Sequence, residues 1–333
     1  MKFHTLRRRC TMVGLVAGLL APAAVVQVSA GSGQGASEAA GVGNSAGASV
    51  ATALDPRTIT SITGGSPEVS GNVVKVSFPR KDVPVQIDGW NDVPPFMGLT
   101  SYASFMPLDS GGVMAMGDLV VFEDEVNPVM SAALDAGLDV TALHNHFFFA
   151  KPAVYFMHIG GKGNVNEVAT GVSAALHAAA TVRHGASLPR QSFGAPVSGP
   201  SRIDAGKLDG ILGVKGKTQD GMYKATFGRK ATSSMCGGCT VGSAMGINTW
   251  AAFAGTDDDA VVDGDFAITE DELRTVLLAL RHGGINIVAI HSHTMGETPR
   301  MLFLHYWGRG PAGDLAQTVK QAVSLTSWDG HHP

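Results

Sequence analysis

An α+β fold built from two copies of one unit, an internally duplicated antiparallel α/β sandwich of two pseudo-symmetric repeats, is predicted for this 333-residue chain. Three observations predict it. The chain matches itself over most of its length, each copy reads as strands, helix, two strands and helix, and neither copy alternates strand with helix as a parallel sheet would. The self-match begins at Asp55: "DPRTITSITGG…NVVKVSFPRK" aligns with "DAGKLDGILGV…GMYKATFGRK" at an offset of 149. "MGLTSYASF" then meets "MGINTWAAF" at 148, and residues 117–169 align without a gap at 147, with 17 of 53 pairs identical. Two single-residue length changes therefore relate a first repeat at 55–182 to a second at 204–328, with 183–203 as the connection and 329–333 as a tail.

The elements follow in order within each copy. "NVVKVSF" and "MYKATF" carry strand-forming residues, and "GVMAMGDLVVF" and "AVVDGDFAI" continue the strands. A helix comes next. In the second copy Leu273, Val276, Leu277 and Leu280 recur at helical spacing behind the capping box Thr269-x-x-Glu272, and Gly283-Gly284 ends the run. Val126, Val129, Met130 and Ala133 do the same in the first. Two short apolar runs follow, "DVTALHNHF" with "AVYFMHI" and "NIVAIHSHT" with "MLFLHYW". Helices on Val168, Val172 and Leu176, and on Leu315, Val319 and Val323, close the units.

The first thirty residues have the composition of an export signal: Arg7–Arg9, an apolar run and small residues ending at Ala30. The arginine run also fits a twin-arginine route. Residues 31–54, almost without large apolar side chains, read as a flexible linker. The expectation is an exported protein, periplasmic or extracellular, with no stable membrane span after cleavage. Cleavage would move the formal net charge from −4 to −8, which argues against nucleic acid as a partner. The remaining cysteines, Cys236 and Cys239 of "CGGC", are expected to form a small disulfide loop in an oxidising compartment, with metal binding or redox chemistry as alternatives. Their surroundings, "SSMCGGCTVGSAMG", read as loop.

Both copies repeat one histidine pattern. His144 and His146 match His291 and His293, and His158 matches His305. On a strand, residues two apart share a face. A hairpin centred on Thr298, setting His291 opposite His305, brings three imidazoles together, and the first copy does so about Lys151. Three neutral imidazoles form a ligand set for a divalent transition metal, zinc or copper foremost, iron as well. A slip of one residue would turn the third histidine away. The second copy adds Glu297 and Arg300, where the first has Ala150 and Ala153. A carboxylate beside metal-bound water can serve as ligand or general base, and an arginine can hold an anionic substrate; a turn salt bridge is the plainer role for Arg300. Asp118 and Asp265 follow a glycine and read as turn residues, and the acidic triplets from Glu123 and Glu270 as helix-capping groups. Arg229, at a strand end, is a weaker anion-binding candidate. Phe147–Phe149 should make the first copy's turn a packing surface, and Lys151 should disfavour a cation there.

At "MGDLVVFEDEVNPVMSAALDAGLDVTALHNHF", "FMHIGGKG" and "HSHTMGETPRMLFLHYWGRGPAGDLA" the chain resembles the LppY/LpqO family, a bacterial envelope domain of unknown function. The resemblance implies G-E-x-P-R after the first histidine pair, which residues 296–300 keep and "FFAKPA" does not. It implies no reaction. HExxH, G-x-S-x-G and Walker motifs are missing, and only the first half of a cupin metal motif is matched. Two functions remain open: a metalloprotein, hydrolytic in one version, and a non-catalytic protein binding a small molecule or cell-envelope component.

Overall fold

The computed structural model describes residues 54–197 and 199–328. The expected export signal, the linker up to residue 53 and the tail 329–333 lie outside them. The first repeat runs α1 (Pro56–Thr63), β1 (Ser66–Ser70), β2 (Val73–Pro79), β3 (Gln86–Ile87), β4 (Thr100–Pro107), β5 (Val113–Phe122), α2 (Glu123–Asp135), β6 (Asp139–His144), β7 (Ala150–Lys151), β8 (Val154–Gly163) and α3 (Val165–Gly185). The second runs α4 (Ala205–Leu212), β9 (Lys217–Gln219), β10 (Met222–Gly228), β11 (Ala231–Ser233), β12 (Cys239–Val241), β13 (Asn248–Gly255), β14 (Ala260–Thr269), α5 (Glu270–His282), β15 (Asn286–His291), β16 (Glu297–Thr298), β17 (Met301–Gly310) and α6 (Ala312–Ser324). The segment read as loop around the cysteines thus holds two short strands, β11 and β12, paired with each other. No helix among the described residues is long and apolar enough to cross a membrane.

Local chemistry sets the helix starts. Asp55 and Asp204 accept the backbone N–H of Arg57 and Lys207, and both short helices stop at a left-handed glycine, Gly64 and Gly213. Glu272 Oε2 reaches back to the Thr269 N–H at 2.9 Å and Glu125 Oε2 to the Phe122 N–H at 3.0 Å. These two carboxylates also take an arginine from the strand beside them. Arg229 Nη1 and Arg80 Nη1 each lie 2.7 Å from theirs. Arg229, only 6% exposed, is therefore committed to a buried ion pair, which accounts for its position without a ligand.

Twelve strands join in one antiparallel sheet, ordered β1-β2-β4-β5-β8-β6-β15-β17-β14-β13-β10-β9. The second half runs through the counterparts of the first in reverse, and the halves meet where β6 and β15 pair at Leu143 and Ile290. All six helices bury their apolar faces on one side of this sheet, in a core that includes Leu119, Val121, Val129, Leu143, Val276, Leu277, Ile290 and Leu304. Alternation along each strand sends the neighbouring residues to the other side. There two smaller clusters form, one per repeat, around Phe156 and around Phe303, with Val120 and Ala267 among their members.

The halves are also joined through α2 and α5. The Asn127 side chain exchanges hydrogen bonds with the Ile287 backbone (2.7 and 3.3 Å), and Arg274 donates to the Leu134 carbonyl at 2.7 Å. Removing one repeat would strip this flank and leave β15 as a free edge. Residues 204–328 expressed alone are expected to give a dimer paired β15 to β15, or an aggregate, in size-exclusion chromatography with light scattering. A soluble monomer with a cooperative melt would show that the second repeat needs no neighbour.

Candidate metal centre

The histidines lie on the face away from the helices. β17 sends Leu302, Leu304 and Tyr306 to the helical core and Met301, Phe303 and His305 to the other side. Across the ladder His291 pairs with Phe303 and Ala289 with His305. The expected pairing of His291 with His305 is thus displaced by two residues, and the first copy shows the same displacement, His144 with Phe156 and Ala142 with His158. A shift of two preserves the face, so the third histidine still points to its partners. The reason for the shift is that residues 292–300 do not form a tight turn. They leave the sheet so that β16 pairs with β11, Glu297 opposite Ser233. His293 and His146 follow the last residues of β15 and β6 instead of lying within them.

Each free-standing histidine is held by an aromatic floor. The His293 ring stacks on the buried Phe303 at 3.5 Å between centroids and 10° between planes, and His146 stacks on Phe156 at 3.4 Å and 8°. His291 stands 5.0 Å from both His293 and His305, centroid to centroid. One ring nitrogen from each of the three lies within 4.8 Å of the other two, and among the described residues this is the set of metal-capable side chains that meets that spacing. His144, His146 and His158 repeat the arrangement with centroids 5.1 and 5.0 Å apart without meeting it. β6 and β15 pair at Leu143 and Ile290, one residue before His144 and His291, so the two trios share one sheet face. Burial, with the charge of His305, holds His291 below the usual imidazole range; burial and His291 do the same to His293, against the Gly246 backbone. Neutral imidazole is the ligand form.

Asp118 and Asp265 are not turn residues. They lie inside β5 and β14, directly across the ladder from His158 and His305. Asp265 is 3% exposed, its Oδ1 has no hydrogen-bond partner, and its Oδ2 stands 3.6 Å from His293 Nε2, too far for a hydrogen bond. Burial, opposed by His305 and aided by Asp263, pushes its carboxyl up to about 6. Asp118 Oδ1 is likewise buried and unpartnered. A glycine-aspartate pair in sequence resembles a turn. The apolar alternation on both sides of it, "VVDGDFAI", was the signal that it sits in a strand.

Glu297 and Arg300 lie outside the trio. The Glu297 carboxylate is buried, and its Oε1 accepts the Met301 N–H at 3.2 Å. Its Oε2 and the Thr294 hydroxyl are both buried without a well-formed hydrogen bond. Burial raises the Glu297 carboxyl, but Thr294 close by, backbone N–H groups and the charge of Arg300 outweigh it and hold the group below the ordinary range. Arg300 is exposed and turns to Glu270 at 3.5 Å, lining a groove with Arg274 and Leu302 on the helix side of the sheet. Cys236 and Cys239 are joined as a disulfide, Cα atoms 5.6 Å apart, closing the loop between β11 and β12 beside the Glu297 strand. Gly296 has φ +76°, and a Cβ there would fall 2.4 Å from Ser234 Oγ. Its counterpart Phe149 holds φ +56°, a conformation that costs a non-glycine residue about 1 kcal/mol or more. Of the three phenylalanines in the first copy's turn only Phe147 packs on the sheet. Phe148 and Phe149 are 82% and 76% exposed, so most of that turn is not the packing surface its composition suggests.

No curated protein matches the chain. Among solved structures, a trimeric bacterial microcompartment shell protein, PduB, is similar at 10% identity over 77% of this chain and 87% of its own, with a TM-score of 0.18, a likeness too slight to carry an argument. The pattern of one family matches twice, over residues 57–178 and 206–325, and the chain belongs to that family, described as a Domain of Unknown Function (DUF1259), with the domain present in two tandem copies.

Proposed function

We propose that this is an exported metalloprotein of the LppY/LpqO type, two repeats related by an approximate two-fold axis through the β6–β15 seam, with one working metal centre at His291, His293 and His305. The observation that carries this reading is the convergence of three imidazole nitrogens within 4.8 Å of one another on a partly open sheet face. Metal–nitrogen bonds near 2 Å require spacings of this order. Three exposed methionines lie on neighbouring segments of the chain. Met235, Met245 and Met295 are 80%, 70% and 80% exposed. Met295 follows His293 by two residues, Met245 adjoins Gly246, whose backbone lies beside His293, and Met235 adjoins Ser234, whose N–H donates to the Gly296 carbonyl at 2.9 Å. At a site of imidazole donors the divalent affinity order places copper above zinc.

A metal held there supplies Lewis acidity and an acidified water, the requirements of hydrolysis. The chain's own contribution is three imidazole ligands and a buried carboxylate at Asp265 placed beside His293. Asp265 takes in this reading the base role first assigned to Glu297. The protein loaded separately with copper and with zinc, then passed through a desalting column, is expected to retain one equivalent of copper per chain. His291→Ala should lower retention by at least about a hundredfold in affinity, since one of three ligands is lost. A wild-type protein that keeps no metal, or a His291→Ala variant that keeps it fully, removes the site. A non-catalytic binding role is favoured by one observation, the large apolar side chains left exposed, Phe96 at 95% and Phe148 at 82% among them. Metal retention without turnover on any ester, amide or phosphoester would favour that second reading.

A further inference from the structure

The cavity of 610 Å³ between the sheet and α3 of the first repeat lies on the helix side, away from the histidines, and has a counterpart in the second repeat that the chain fills itself. Its walls are apolar: Phe78, Leu119, Val121, Ala175, Leu176 and Ala179. Phe227 answers to Phe78. Against Phe227 packs the indole of Trp328, edge to face at 5.3 Å, with Lys320 Nζ 5.1 Å from the Trp328 ring centre. Trp328 reaches this place because α6 ends at Ser324, while α3 continues to Gly185. Ser327 then donates to Glu272 Oε1 through its N–H at 2.6 Å and its hydroxyl at 2.9 Å. In the first repeat the corresponding Glu125 Oε1 is met by Arg183 Nε at 2.7 Å instead, and the space beside Phe78 stays open.

We propose that this cavity binds a planar aromatic molecule carrying an anionic group, seated where Trp328 sits in the other repeat. The size is that of pockets that hold small organic ligands. The aromatic part is indicated by the occupant the second repeat supplies. The anionic part is indicated by Arg183. Its side chain lines the cavity, is 8% exposed and pairs with Asp124 and Glu125, and its Nη1 is buried behind that wall without a hydrogen-bond partner. Lys81 and His184 line the same cavity, while Asp82 is engaged by Arg80 at 2.7 and 2.9 Å. A carboxylate on an indole-sized ring would lie among Arg183, Lys81 and His184 as its ring meets Phe78.

The probe is indole-3-acetate, the Trp328 side chain with a carboxylate added, titrated calorimetrically into the full chain at low salt. One site per chain is expected. Indole without the carboxylate should bind at least about tenfold more weakly. Ala179→Trp, which fills the cavity, should weaken indole-3-acetate by at least about tenfold with an unchanged melting temperature. Leu176→Phe serves the same purpose if that variant does not fold. Trp328→Ala should open the second cavity and raise the stoichiometry from one to two. Absence of saturable binding, or binding untouched by both filling variants, overturns the site. Equal affinity for indole overturns its anionic half, and a stoichiometry of one in Trp328→Ala overturns the equivalence of the two places.

Discussion

Phe303→Ala is expected to cost about 3–5 kcal/mol of stability and to release the metal, because one side chain serves both the fold and the site. Phe303 is fully buried in the small cluster with Ala231, Ile247, Ala267 and Met301, and its ring is the floor on which His293 lies. His293 has left the strand, so nothing in the ladder fixes its ring. The stacking does. Phe156→Ala in the first repeat should cost a similar amount, since Phe156 is 1% exposed and carries His146 in the same way, but should leave the copper equivalent in place. Urea unfolding gives the first quantity and metal analysis the second. A variant that unfolds says nothing about positioning, so Phe303→Leu is the sharper test. It keeps most of the volume, at a cost expected under about 1.5 kcal/mol, while removing the flat surface. Affinity should still fall about tenfold or more, as for loss of a group that orients a ligand. Wild-type affinity in Phe303→Leu would show that His293 is held by something else.

What could be read in the sequence was whatever neighbouring residues decide among themselves. The capping box at Thr269 and Glu272, the apolar spacing of α5 and the repeat offsets are of this kind, and Val126, Val129, Met130 and Ala133 of α2 are buried as their spacing requires. The histidine trio was legible as a set because face alternation survives a register error of two. The error came from assuming a hairpin. Residues 292–300 are drawn away by β11, which lies more than fifty positions earlier in the chain, and no local pattern announces a partner of three residues. The seam had the same difficulty, since β6 and β15 are separated by a whole helix, a connection and most of a repeat. Asp265 was hidden by chemistry: a buried, unpartnered carboxylate within a strand is costly and has no propensity that would recommend it. That cost is itself the argument for a site, because the second strand of each repeat's centre, β5 and β14, keeps the aspartate in both copies.

Glu297→Ala is expected to weaken metal binding about tenfold and to cost about 1–3 kcal/mol, through a buried N–H left unpaired at Met301. Glu297 sits on β16, between the strand that ends at His291 and the strand that carries Phe303 and His305, and its carboxylate fixes the first residue of the latter. It is a positioning residue on this reading, and the first copy, with Ala150 in its place, lacks that tie. His146→Ala, confined to the first trio, should leave the retained metal unchanged. The discriminating variant is Glu297→Gln. An amide oxygen still accepts the Met301 N–H, so both stability and affinity should return to within about threefold of wild type. A ligand or general base would behave otherwise. Its charge and basicity would be gone, so Glu297→Gln would lose metal or turnover as fully as Glu297→Ala while melting like the wild type. Melting temperature and metal content measured on the three variants side by side separate these cases, and the second pattern would return the carboxylate role from Asp265 to Glu297.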